Sequence, residues 1–517
     1  MEDGVSKKRR VARACDACKR RKVRCNGGMR CQQCDHFNLP CVYSADSSLR
    51  RSRAKAAQRG AVIAECKQTD VNQGLPRSPI PLAPKGASLP SPPLTAVSSI
   101  AFNPTASYFL DMIPDYLAYV YPVNPVIPEA EIRTCVEQMH TDRDAGSFIY
   151  AFAATTINLT QPDSLPGIRD QITRLIEKSL ELRDPMGLDS QPTVLKIMRN
   201  IFLQICLMGL RKLDLGFFYL REAITMVHML RIENAEAMAE LDPMERARRQ
   251  RLYWECFIHE RFTALSNYKP TCLKPLLGLP DRDHSLAPST EQGWNHIIET
   301  FLLVDQEFID LWLGDRAQVT AEWIERKHRE LEDSKWQMEV SYLSALQQAD
   351  LIVTRQWLRT LTWQMAMSNT LLSSLAHSES LSLTLPLRLS SQLRGFITRV
   401  SREAIGIHGS GILDKLFEIT DTIADVVLHL PPQASLTSDT LSRVEDMLFL
   451  KRFMFSFPRI QPMHKRILMD KFRLIKEIYP HMEEIDNLVA SPASIRSGKT
   501  FSEAGDSPAA SVQDIFR

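Results

Sequence analysis

Beyond residue 105, apolar side chains recur every three or four positions in segments long enough for helices. Ile168, Ile172, Leu175 and Ile176 share one face of such a segment, and Phe217, Leu220, Ile224 and Val227 share another. Ile297, Phe301, Val304, Phe308 and Leu311 alternate steps of four and three, the stripe that a helix turns towards a core. Ala145 to Pro162 carries no charge, but Thr155, Thr156, Asn158 and Thr160 interrupt it. It reads as a buried helix and not as a membrane span. Breaks fall at Pro162, Pro166, Pro185-Met186-Gly187, Pro192, Pro270 and Pro431-Pro432. Strand signals are few. The pattern predicts a mostly α chain, with an all-helical domain over residues 105–490. A disordered tail rich in Ser, Ala and Gly follows over 491–517. Trp254, Trp357 and Trp363 are expected in the helical core.

Before residue 105 the periodicity fails. Residues 68–104 hold Pro76, Pro79, Pro81, Pro84, Pro90, Pro92, Pro93 and Pro104 among serines, with almost no aromatics. Such a run cannot bury a core and reads as a disordered linker. Residues 46–67 read as a basic linker or a short helix. Leu49, Ala56 and Ile63 recur every seven residues, but their companion positions are polar or small, so a homodimer through a coiled coil here stays open.

Charge sharpens this division. The 517 residues carry a net +2, yet residues 1–60 contain sixteen Lys and Arg against five Asp and Glu. That head is +11 and the remainder is −9, so the head suits a polyanion and the body does not. The charged N-terminus lacks the apolar core of a signal peptide, and the expectation is a soluble intracellular protein with reduced thiols. In that setting clustered cysteines point to metal.

Cys15, Cys18, Cys25, Cys31, Cys34 and Cys41 follow the spacing C-x2-C-x6-C-x5-C-x2-C-x6-C, in which the first half repeats as the second. Two thiolates three residues apart can grip one ion from a helical turn, and the third returns from the following loop. Each Zn2+ takes four thiolates in tetrahedral geometry. Two ions need eight sulfur positions, and six cysteines supply them only if two sulfurs bridge. The repeat therefore predicts two zinc ions on two related halves over residues 1–45. Cys66, Cys135, Cys206, Cys256 and Cys272 lie scattered in apolar sequence and are expected as core thiols.

Between the second and third cysteines stand Lys19, Arg20, Arg21, Lys22 and Arg24, with Lys7, Lys8, Arg9, Arg10 and Arg13 upstream. Six thiolates and two Zn2+ leave a net −2, so most of this positive charge is surplus to the cluster. Basic side chains on a short metal-held helix suit phosphate contact. Runs such as Lys7–Arg10 also resemble nuclear import signals.

These residues resemble the fungal binuclear zinc-cluster transcription factors. The resemblance implies that Cys15 and Cys31 bridge the metals and that Lys22 reads a guanine-rich triplet in the major groove. It further implies that Arg21 approaches the bases while Lys19, Arg20 and Arg24 hold phosphates. Relatives often carry a proline in the loop between the halves, whereas this loop is Asn26-Gly27-Gly28-Met29-Arg30. The stretches 216–232, 246–270 and 349–365 are similar to the middle homology domain of the same family, in its maltose- and starch-regulator branch. That domain restrains or tunes the activator in such relatives.

No phosphate-binding glycine loop, paired-His zinc motif or nucleophile elbow is present in the sequence, so no enzyme is expected. Lone histidines such as His228 and His259 read as packed or solvated groups. The expected function is a nuclear, zinc-dependent transcription factor of RNA polymerase II genes, an activator of a secondary-metabolite biosynthetic gene cluster. Regulation of carbohydrate utilisation or of stress and detoxification genes is the alternative, and a corepressor acting through protein contacts a further one. Its partners would be double-stranded DNA and the transcription machinery or co-regulators, with no membrane.

Overall fold

The computed structural model describes residues 104–161, 166–185, 187–314, 318–369, 371–372, 378–429 and 438–479. The expectations for the zinc cluster, the linkers and the tail lie outside the described residues. Short helical turns over Ala106–Leu110 and Ile113–Val123 lead into α1 (Glu129–Gln138), α2 (Arg143–Thr160), α3 (Ile168–Leu182), α4 (Val194–Gly209) and α5 (Leu213–Met229). The chain continues through α6 (Pro243–Asn267), α7 (Pro288–Leu302), α8 (Gln306–Leu313), α9 (Ala321–Leu331) and α10 (Ala345–Ser368). It ends with α11 (Leu385–Ile397), α12 (Gly409–His429), α13 (Ser438–Phe455) and α14 (Pro462–Ile478). No β-strand is present among the described residues, as the periodicity predicts.

Helix α2 is the uncharged run. Asp142 starts it, its carboxylate accepting the amides of Asp144 and Ala145. The helix packs on α3 and α4 and is buried on nearly every side, which is why its sequence lacks charge. The threonines that interrupt it are satisfied internally: Thr155 donates to the Phe202 carbonyl at 3.0 Å and Thr156 to that of Phe152 at 3.0 Å. Ser147 and Ser179 each donate a hydroxyl to the other's carbonyl at 2.7 Å, fastening α2 to α3. Phe148, Phe152 and Phe202 fill the space between α2 and α4, each contributing about 1.5–3 kcal/mol over exposure.

The second half centres on α10, which begins at a capping box between Ser344 and Gln347 and packs on α9, α11 and α12. Trp254, Trp357 and Trp363 are buried, as expected. The stripe from Ile297 to Leu311 is buried throughout, yet one helix does not carry it. Helix α7 ends at Leu302, and Asp305 starts α8 by accepting the Phe308 amide at 2.8 Å while its other oxygen holds Lys327 at 2.7 Å. The apolar rhythm survives the break because both helices face the same core.

Candidate metal centre and nucleic-acid interface

The expected ligands Cys15, Cys18, Cys25, Cys31, Cys34 and Cys41, and the basic residues Lys19, Arg20, Arg21, Lys22 and Arg24, all lie outside the described residues. Their chemistry fits zinc on its donor set. Six cysteines in a duplicated spacing would hold two zinc ions in thiolate shells that leave no position open for a substrate.

Among the described residues no group of three or more His, Cys, Asp or Glu side chains could hold a metal. The cysteines there have a different character. Burial pushes the Cys135 and Cys206 thiols up to about 12 and raises Cys256 well above its ordinary value, so all three stay protonated and inert. Cys272 corrects the expectation of a core thiol, because it is exposed. It lies in the extended stretch after α6, where its backbone amide faces inwards to Glu260 at 2.9 Å. Cys66 lies outside the described residues.

The helical body holds charge inside, which periodicity did not reveal. Helix α6 carries most of it. Glu260, wholly buried, accepts the amides of Cys272 and Leu273 at 2.9 Å each and Nη1 of Arg221 at 2.8 Å. Arg261 donates to the Leu273 carbonyl at 2.9 Å and lies over the Phe257 ring at 4.5 Å. Glu255 accepts Nδ2 of Asn124 at 2.6 Å and faces Nε2 of His259 at 2.9 Å, while Nδ1 of that ring meets Oε1 of Gln204 at 2.7 Å. Arg251 joins the Pro125 carbonyl at 2.7 Å to Asp283 at 2.8 Å. Apart from the Glu255–His259 and Arg261–Phe257 pairs, which lie within α6, each contact ties the helix to a distant loop or helix.

A second polar cluster lies between α10 and α12. Lys415 reaches Oγ1 of Thr354 at 2.7 Å and Oδ1 of Asp350 at 3.2 Å, within 6 Å of the Phe262, Phe301 and Trp357 rings. Burial alone would raise the Asp350 carboxyl, but the Lys415 charge, His408 and two hydrogen bonds together pull it below its usual range. At the last helix, Lys471 on α14 lies between Asp421 and Asp425 on α12 at 2.5 and 2.6 Å. These groups partner one another, so the polar interior orders helices.

A family model for the fungal Zn(2)-Cys(6) binuclear cluster domain matches residues 13–51. The chain is 23% identical over 328 residues to a probable sucrose utilization protein of Candida albicans, covering 60% of this chain and 63% of that protein. It is 21% identical over 425 residues to a maltose fermentation regulatory protein of Saccharomyces cerevisiae, covering 80% of this chain and 85% of that one. A fumonisin cluster-specific transcription factor of Gibberella moniliformis is 54% identical over 39 residues, 8% of this chain and 6% of that protein. The chain belongs to the fungal Zn(2)-Cys(6) transcription-factor family. Its cluster domain binds two zinc ions, and its long-span relatives include maltose regulators. Among the described residues no helix is long and apolar enough to cross a membrane.

Proposed function

We propose that the protein is a nuclear, sequence-specific regulator of RNA polymerase II genes that controls carbohydrate utilisation, with residues 1–45 as DNA reader and 105–490 as regulatory domain. The observation that carries the DNA-binding reading is the duplicated six-cysteine spacing enclosing five cations. Cys15, Cys18, Cys25, Cys31, Cys34 and Cys41 hold the two ions, with Cys15 and Cys31 shared. Lys22, assisted by Arg21, reads a guanine-rich triplet, and Lys19, Arg20 and Arg24 grip phosphates. The carbohydrate reading is supported by the span of the likeness. The sucrose and maltose relatives align over 60% and 80% of the chain, so the alignment must include much of the helical body. The activation of a secondary-metabolite gene cluster is the second reading, favoured by the higher identity to the fumonisin factor. That match covers 39 residues and reports on the reader's chemistry more than on its targets.

Genome-wide occupancy of the native protein, read beside transcripts in a deletion strain grown on maltose and on glucose, tests both. Expected are peaks on guanine-rich triplets beside genes of sugar uptake and hydrolysis. A Lys22→Ala chain at equal abundance should lose those peaks. Occupancy confined to one biosynthetic gene cluster would replace the first reading by the second, and peaks unchanged by Lys22→Ala would remove the assigned base contact.

A further inference from the structure

Helix α5 packs on α4 and α6, and Gly216, Leu220, Ala223, Ile224 and Val227 are buried on its inner side. On the outer side Leu215, Phe218, Glu222, Thr225 and Met229 follow one another at alternating steps of three and four, which keeps them on one stripe of a helix. Leu215, Phe218 and Met229 are 43, 54 and 48% exposed. Thr225 turns its hydroxyl back to the Arg221 carbonyl at 2.8 Å, so its methyl group is what it offers outwards. Glu222 is the one ionised group of the stripe, and its charge is already met by both Nη atoms of Arg183 at 3.0 Å and by Asn200 at 3.1 Å. A solvated helix carries charge at the centre of its outer face, whereas this one carries Leu, Phe and Met.

The charges at the ends of α5 indicate what fits that stripe. Lys212 and Asp214 stand at the N-terminal end, Arg231 and Glu233 just past the C-terminal end, and all four are exposed. The Lys212 and Arg231 side chains have no partner among the described residues. Asp214 and Glu233 make surface contacts, to Lys269 at 2.6 Å and to His228 at 3.0 Å, and such pairs are easily exchanged. Along the chain, Lys212 and Glu233 lie equally far from the junction of Glu222 and Ala223, and so do Asp214 and Arg231. When α5 is set against a copy of itself running the other way, Lys212 therefore comes opposite Glu233 and Asp214 opposite Arg231, at both ends. A parallel pairing would set each charge against its own kind. An unrelated partner would not call for this symmetry, and a second copy does.

We propose that the outer face of α5 is an interface between two copies of this chain, the two helices packing antiparallel across a two-fold axis beside Glu222. Phe218 is its apolar anchor, and it lies over the half of the partner's helix that holds the small Thr225 and the flexible Met229. The two Glu222–Arg183 pairs approach the axis already neutralised, so the stripe closes without an unpaired charge. The opposite charges at the ends fix the direction of the pairing.

Sedimentation velocity of the zinc-loaded full chain, from roughly 1 to 100 μM in about 0.1 M salt, tests this while the end charges are only partly screened. The parent should pass from one chain to two over that range. Phe218→Lys, at an exposed position, should weaken the pairing about tenfold or more. Asp214→Arg opposes two cations at each end, Arg231→Asp opposes two anions, and each alone should weaken it severalfold. An equimolar mixture of those two variants should restore it, because each chain supplies the sign that the other lacks. Such rescue between chains cannot come from a fold defect. Circular dichroism checks the helical body, and Lys212→Glu mixed with Glu233→Lys serves if either variant fails to fold. A chain that stays single throughout, a dimer unmoved by Phe218→Lys, or charge variants that mixing does not restore would overturn the assignment. The first result would leave the face to another protein, and the second would place the pairing elsewhere, in residues 46–67 or between basic head and acidic body.

Discussion

His328 shows how much one side chain can conceal in a helical pattern. It sits on α9 at a core-facing position, buried, and neither ring nitrogen has a hydrogen-bond partner. Burial, reinforced by Arg359 and Arg388, lowers its pKa to about 3. The unfolded chain takes up a proton below about pH 6.5, which the fold refuses. This residue's contribution is therefore present above that pH and is lost as the pH falls towards 3. His328→Phe removes both the orphaned nitrogens and the titration. The variant should lie within about 1 kcal/mol of the parent at pH 7.5. At pH 5 it should be the more stable by about 2 kcal/mol. Urea unfolding at the two pH values measures this, and an equal difference at both would mean that the folded imidazole accepts the proton. Sequence reading separates lone histidines into packed and solvated ones without saying which. The structure gives His228 to the surface beside Glu233, and His259 to a bridge between Glu255 and Gln204. Those partners lie on other turns or other helices, and composition carries no trace of them.

Helix α6 makes the same point for an element. The stretch 246–270, which takes in most of the helix, was legible as similar to a regulatory homology domain, but not as the polar spine of the body. Periodicity detects apolar faces, and here charged side chains are buried because partners up to 131 residues away complete them. Glu260→Gln tests that spine. It keeps the shape but removes the charge opposite Arg221 and Arg261 and turns one acceptor oxygen into a donor facing an amide. It should cost about 3–5 kcal/mol, as breaking a buried ion pair does. Urea denaturation of the zinc-loaded chain at pH 7.5 is the check, and a loss under 1 kcal/mol would show that water takes over the pairing. By contrast, α2 was read correctly from its uncharged run, because burial on all sides leaves a local mark. The α7–α8 break was missed for a related reason. A continuous apolar stripe says which side faces the core, and it does not record that one helix ends at Leu302 and that Asp305 begins the next.

At the scale of the whole molecule, the asymmetry of charge bears most directly on function. Residues 1–60 carry +11 and the rest −9, so phosphate attraction belongs to the head and repulsion to the body. The cysteine cluster was legible because metal chemistry fixes both residue type and spacing within 27 residues. The identity of the target genes has no such local signature, and neither does the spacing of paired sites. Residues 68–104, read as a proline-rich tether, would give the body no fixed register on a DNA groove. A fragment of residues 1–67 should therefore select the same guanine-rich triplet from a random DNA pool as the full chain. Its affinity per site should be equal or higher, and its salt dependence at least as steep, since every basic residue between Cys18 and Cys25 is retained. The body should change transcriptional output, and pairing between copies, without changing which bases are read. Parallel selections with the fragment and the full chain, each repeated at two salt concentrations, decide this. A different core triplet for the full chain would mean that the helical body enters base recognition, and the division into a reader and a regulator would fall.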